Sequence, residues 1–247
     1  MGKFIKQRLT IWRRFNDGIP DYLARHYWWA YLWRPAVWFF DHQPIINAIL
    51  FGQYKGLLKQ TLHCLESRPP GRLLQLTCVY GQLSPSIAGN KKEHPFFLCD
   101  VATVQLEAAR RKLNNEAPDA VCLARMNAEQ LAYSNDSFAT VLVFFLFHEL
   151  PVDARMRVID EIVRVIEPGG QVIIVEYAPL PTHHFLYRIY PLRWLLTRLE
   201  PFLADFWRED LAAAMCSRAK GYGKAIERTR VEYFFNRFYR VEVYQEG

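Results

Sequence analysis

No run of 18 apolar residues occurs anywhere in the 247-residue chain, so no segment has the length of a membrane-spanning helix. Cysteine is sparse. Cys64, Cys78, Cys99, Cys122 and Cys216 make an odd set without a C-x-x-C pair, which excludes a disulfide framework and a zinc ribbon. Cys78, Cys99 and Cys122 lie in or beside apolar runs, where buried free thiols in a reducing compartment are expected. The first residues lack an apolar leader core with a small-residue cleavage site. Internal repeats and low-complexity tracts are absent, so solenoids and long linkers are excluded as well. These absences predict a cytoplasmic protein of one substantial core with additions.

Basic and aromatic residues are abundant. The formal net charge is +6 and 15% of residues are Phe, Trp or Tyr, so an acidic partner is expected. Lys3, Lys6, Arg8, Arg13 and Arg14 precede Tyr22, Tyr27, Trp28, Trp29, Tyr31, Trp33, Trp38, Phe39 and Phe40. Residues 1–70 read as a helical cap whose rings suit a bilayer interface on the inner membrane surface. The same rings would also serve a cap packed on the core. No nucleic-acid module accompanies the charge, so no nucleic-acid partner is expected.

From Gly71 the pattern alternates between strands and helices. Strands are expected at 73–79, 96–100, 120–124, 139–147 and 171–177, with helices over 104–113 and 154–166. Pro168-Gly169-Gly170 is expected to stop the second helix. Residues 182–220 read as a helical insertion over the carboxyl ends of the strands, and 225–233 with 237–245 as a closing hairpin. This predicts an α/β, Rossmann-like, mostly parallel sheet with right-handed crossovers and an antiparallel end over residues 71–247.

In such a sheet a cofactor sits at the carboxyl ends of the strands, at the switch point. The turn after the first strand ordinarily carries several glycines. Here only Gly81 remains, between Tyr80 and Gln82, though backbone N–H groups of the Val79–Pro85 loop remain available to a ligand. Asp100, ending the second strand, suits a ribose diol or a helix N-cap. Met126 and Asn127 suit an adenine ring and its amine, or a turn. His148-Glu149 follows the longest apolar strand and suits proton transfer or metal binding, the other reading being a solvated turn. Glu176 lies close to the end of the fifth strand and completes a mixed N/O set. His183-His184 reads as surface.

Together RLLQLTCVYG, FFLCD, NAEQLAYSNDSF, VLVFFLFHELP and RVIEPGGQVIIVEY resemble class I S-adenosylmethionine-dependent methyltransferases over residues 71–178. Val79-Tyr80-Gly81, YWWAYLWRPAVWFFD and FFLFHELP look like the rhodoquinone-biosynthesis family, relatives of the ubiquinone-pathway methyltransferases. That resemblance implies conversion of ubiquinone to rhodoquinone, an amino group replacing a ring methoxy group. S-adenosylmethionine would donate the nitrogen and manganese(II) would be required. It implies cofactor contacts at Thr77, Val79, Tyr80, Gly81, Asp100, Val101, Asn127 and Ala128. Catalytic roles would fall to His148, Glu149 and Tyr80, and metal ligation to His148, Glu149 and Glu176. An ordinary quinone or lipid methyltransferase and a non-catalytic, cofactor-binding membrane adaptor are the competing expectations.

Overall fold

The computed structural model describes residues 18–89, 95–116 and 121–247. The five basic residues Lys3 to Arg14 lie outside them. Five N-terminal helices come first: α1 (Leu23–Tyr27, π-helical), α2 (Trp28–Tyr31), α3 (Arg34–Phe40), α4 (Gln43–Ile49) and α5 (Tyr54–Glu66). There follow β1 (Leu73–Leu76), α6 (Leu83–Gly89), β2 (Phe96–Asp100), α7 (Thr103–Glu116), β3 (Val121–Arg125), β4 (Phe138–Phe144), α8 (Val152–Val165) and β5 (Ile166–Tyr177). Four helices then precede the last strands: α9 (Phe185–Arg188), α10 (Tyr190–Leu199), α11 (Leu203–Phe206) and α12 (Leu211–Gly221). The hairpin β6 (Ile226–Phe234) and β7 (Tyr239–Glu246) closes the fold.

The seven strands run in the order β3-β2-β1-β4-β5-β7-β6. Pairings from β3 to β5 are parallel, and β7 is antiparallel to both β5 and β6. This is the doubly wound sheet with the expected antiparallel end. Strand β4 is buried at every position, as its unbroken apolar run requires for a strand covered on both faces. The order reverses between β1 and β4, so their carboxyl ends open a crevice there.

Several boundaries differ from expectation. Helix α8 ends at Val165 and β5 begins at once, so Pro168-Gly169-Gly170 lies inside the strand's first half. Gly169 takes φ +73° there and donates its N–H to Glu246. Helix α5, read as cap, packs on the sheet instead, with Leu57, Thr61 and Cys64 buried. Cys122 is exposed, not buried, while Cys99 is buried and all five cysteines are free.

Strand β1 stops at Leu76, three residues short of expectation, because Thr77 turns to φ +69°. A left-handed conformation costs a residue with a Cβ about 1–2 kcal/mol. The turn has thus kept a glycine conformation without the glycine. Thr77→Gly is expected to leave stability unchanged or raise it by up to about 1 kcal/mol, relief of strain exceeding the ~0.5–1 kcal/mol entropic cost of glycine. Urea denaturation measures this. A loss of more than about 1 kcal/mol would show that threonine's own contacts hold the turn.

Candidate functional site

A cavity of about 200 Å³ lies at the switch point, between the sheet and the N-terminal helices. Thr77, Val79, Tyr80, Asp100, Val101, Asn127 and Ala128 all line it. Gly81, the remaining residue expected to touch a cofactor, does not. Asp100 is buried, with Oδ2 accepting the Cys78 N–H at 2.8 Å and Oδ1 the Ala102 N–H at 2.7 Å. Burial pushes its carboxyl up to about 6 in spite of the amides that lower it. Each oxygen keeps a lone pair for a diol. Asn127 is engaged in its own turn, Oδ1 accepting the Glu129 N–H at 3.0 Å.

The glycine-poor turn is held from the N-terminal side. Gly81 N–H donates to Asp41 Oδ1 at 2.9 Å and Gln82 N–H to the Tyr54 hydroxyl at 2.6 Å. Lys112 Nζ bonds Asp41 Oδ1 at 2.7 Å and the Gly81 carbonyl at 3.1 Å. Gly81 has φ +84°, and a Cβ there would collide with the Tyr54 hydroxyl. So the glycine serves contact with α5 rather than room for a ligand. Tyr80, expected in catalysis, donates its hydroxyl to the Ala30 carbonyl at 2.5 Å and stacks on Tyr31 at 5.8 Å. Its ring borders the cavity while its hydroxyl is spent on α2.

A charged cluster forms the other wall. After β4, Phe145 adopts φ +55° and the chain enters the short turn Phe147–Glu149. Arg155 on α8, fully buried, fastens that turn by donating to the Phe147 and Leu150 carbonyls, both at 2.9 Å, and it pairs with Glu209. His148 is buried with Nδ1 at 3.0 and 3.1 Å from the two oxygens of Glu176, itself wholly buried on β5. Nε2 faces the cavity side and has no hydrogen bond among the described residues. Glu200 Oε2 stands 3.9 Å from it and Glu149 Oε1 4.0 Å. Tyr31 donates to Glu149, and Tyr27 donates to Glu200 at 2.9 Å.

Burial alone would discharge His148, but the Glu176 carboxylate, with Glu200 and Glu149 behind it, lifts the ring to about 9. Burial raises Glu149 as well, His148 opposing and Glu200 assisting. Burial likewise raises Glu200. The imidazolium is therefore the positive charge of the cluster, while Glu149 and Glu200 hold protons more readily than exposed carboxyls do. Glu176 stands behind the ring, a supporting position. Glu176, expected to complete a metal set with His148 and Glu149, bonds Nδ1 instead, and Glu200, the residue following α10, stands on the Nε2 side. Nothing in the sequence marked it, because it comes from the insertion and belongs to no motif.

The ligand atoms of His148, Glu149 and Glu200 all lie within 4.8 Å of one another. A hard divalent cation with bonds of about 2.1 Å separates opposite ligands by about 4.2 Å, so a shift of about half an ångström closes the set. One unpartnered imidazole nitrogen and two carboxylates suit manganese. His184, expected at the surface, is buried among Phe185, Phe235 and Phe238.

Asp100→Asn is expected to weaken S-adenosylmethionine binding by about 1.5–3 kcal/mol, the size of hydrogen bonds to a charged acceptor. In the unsubstituted protein, affinity should fall as pH drops through about 6, where the raised carboxyl takes up its proton. Calorimetry across pH checks both. A pH-independent affinity equal in the two proteins would remove Asp100 from the site.

The family described as "Methyltransferase domain" matches residues 73–170. A demethylmenaquinone methyltransferase of Bacillus mycoides is 26% identical over 138 residues, 55% of this chain and 57% of that protein. The chain thus spans a little over half the length of this relative. Among solved structures, the N-methyltransferase NodS of Bradyrhizobium japonicum superposes with a TM-score of 0.54 at 13% identity, over 77% of this chain and 94% of that one. Phosphoethanolamine N-methyltransferase 2 of Haemonchus contortus gives 0.57 at 15% identity, over 84% and 58%. Residues 73–170 are thus similar to a methyltransferase domain, and the chain shares the Rossmann-like fold of the solved methyltransferases.

Proposed function

We propose that this protein binds S-adenosylmethionine and transfers its amino nitrogen to a membrane-borne quinone, converting ubiquinone to rhodoquinone by displacement of a ring methoxy group. The observation that carries this reading is the rebuilt turn at Thr77–Gln82. Its Gly81 and Gln82 amides are committed to Asp41 and Tyr54, and Tyr80 is turned to Ala30. A donor seated on such a turn meets different partners from one cradled by a glycine loop. The likeness to a demethylmenaquinone methyltransferase supports a quinone as acceptor.

In this reading Asp100 holds the ribose, and Val101, Met126 and Ala128 border the adenine. The donor's neutral amine attacks the ring carbon bearing the methoxy group, forming the C–N bond. The C–O bond to the methoxy group breaks and methanol leaves. Glu149, its proton affinity raised by burial, takes the amine's proton and returns it to the leaving oxygen. The donor's α-hydrogen is then lost as a proton while its electron pair reduces the quinone, giving a hydroquinone imine; water cleaves the N=C bond, leaving the aminohydroquinone and the donor's α-keto acid. His148, fixed by Glu176, keeps Nε2 directed toward the two rim carboxylates. His148, Glu149 and Glu200 would hold manganese(II), which supplies Lewis-acid polarisation of the quinone carbonyl. No helix among the described residues is long and apolar enough to cross a membrane. Access to the quinone would come through peripheral contact of the N-terminal helices, whose Trp28, Trp33 and Trp38 are exposed.

The second reading, methyl transfer to a quinone, is favoured by the same relative's name. Ubiquinone incubated with S-adenosylmethionine carrying nitrogen-15 at its amine, in the presence of manganese(II), separates the two. Labelled aminoquinone is expected. A methylated quinone with no nitrogen label would establish the second reading. Glu149→Gln should lower turnover by about 100-fold or more, the ordinary contribution of a positioned base, with S-adenosylmethionine affinity retained. Unchanged turnover would assign the proton transfer to another group.

A further inference from the structure

The insertion carries an apolar face that nothing in the described residues covers. Helix α10 has no fully buried residue. Leu192 and Leu196 pack against the core, whereas Tyr190, Trp194, Leu195 and Leu199 point outward, Tyr190 being 66% and Trp194 55% exposed. At helical spacing Tyr190 and Trp194 line one side with Arg198, and Leu195 and Leu199 line the adjoining side. Between Phe185 and Leu199 the sequence holds Arg188, Arg193 and Arg198 and no acidic residue. None of the three makes an ion pair among the described residues; Arg193 instead lies over the rings of Tyr187 and Tyr190.

This face is continuous with the N-terminal helices. Phe51, exposed after α4, stacks on Phe235 at 5.8 Å, and Phe235 meets Phe185 edge-on at 5.9 Å. On the other side Phe202 packs between Tyr22 and His26. The N-terminal helices and the insertion therefore border one another along two seams, and Glu200 and Trp29 from the two sides line the same central cavity. Beside the face, a second cavity of about 380 Å³ lies between α10 and α11, lined by Arg193, Thr197, Trp207 and Arg208. Trp207 is buried and its indole N–H has no acceptor. A buried donor and two guanidinium groups that have no hydrogen-bond acceptor or carboxylate partner, respectively, among the described residues suit an anionic oxygen.

We propose that the insertion is a second bilayer-contacting element, joined to the N-terminal helices through Phe51, Phe235 and Phe185, and that it seats on anionic phospholipid with a headgroup phosphate at Arg193, Arg208 and Trp207. The partner is a lipid surface because apolar rings at mid-helix are flanked by arginines alone, the arrangement of an interfacial helix. The inference extends the quinone reading by giving the pocket a rim that lies in the interface on both sides. Its readout is lipid binding, so it stands or falls separately from nitrogen transfer.

The test is co-sedimentation of the full chain with phosphatidylcholine vesicles and with mixed phosphatidylcholine–phosphatidylglycerol vesicles. Trp194→Ser combined with Leu195→Ser should weaken partitioning to both by at least about tenfold, because two half-exposed apolar side chains no longer leave water. Arg193→Gln with Arg208→Gln should weaken binding to the mixed vesicles by about fivefold per charge and leave the neutral vesicles nearly unaffected. S-adenosylmethionine affinity and circular dichroism unchanged in both variants confirm the fold. Hydrogen exchange on the unsubstituted protein needs no variant: residues 185–199 should gain protection when the mixed vesicles are added. Wild-type partitioning by the Trp194/Leu195 variant, or no gain of protection over 185–199, overturns the proposal. So does light scattering that finds a dimer abolished by the same substitutions and indifferent to vesicles, which would give the face to a second copy of the chain.

Discussion

Three carboxylates, Glu149, Glu176 and Glu200, converge on one buried imidazole, and the pocket depends on the positive charge that keeps them there. Taken from water without a cation, such groups repel and protonate. His148 answers this by holding its proton, with Glu176 against one nitrogen. The remaining charge is distributed through Tyr31 on Glu149 and Tyr27 on Glu200. Each tyrosine satisfies a buried oxygen and in doing so ties an N-terminal helix to the sheet or to the insertion. The electrostatic centre and the closure of the pocket are thus one arrangement, and losing the charge would loosen both.

The opposite wall follows a related logic. A glycine-rich turn would leave its amides free for a ligand. Here the turn is clamped by Asp41, Tyr54 and Lys112, and Tyr80 reaches back to α2. The strained Thr77 is held at φ +69° within that clamp. A rigid turn with few free donors narrows the ways a donor molecule can lie. In the proposed function, that would link an odd sequence feature to a reaction that presents nitrogen instead of a methyl group.

Much of the sheet was legible because it rests on local periodicity. The apolar run of β4 and the acid ending β2 are properties of consecutive residues, and they place Asp100 at the crevice. What the sequence did not disclose depends on contacts between distant segments. Tyr31 meets Glu149 across 118 residues and Tyr27 meets Glu200 across 173, which no spacing rule anticipates. Glu200 therefore went unnoticed, and Glu176, expected as a metal ligand beside His148 and Glu149, bonds the Nδ1 side of the ring. Tyr80 looked like a catalytic group because its hydroxyl partner, a backbone carbonyl on α2, leaves no trace in sequence. Thr77 was expected only as a cofactor contact; its left-handed conformation went unseen, since a β-branched residue is the least expected occupant of such a turn.

The proposal that His148, Glu149 and Glu200 exchange the imidazolium proton for manganese(II) is tested most directly by titrating the ion into the full chain and following the free ion by electron paramagnetic resonance. The account predicts a site that depletes the free-ion signal and that Glu200→Gln weakens by at least about tenfold, the effect known for groups that hold a metal or its ligands. No depletion by the unsubstituted protein, or equal depletion by Glu200→Gln, would contradict it.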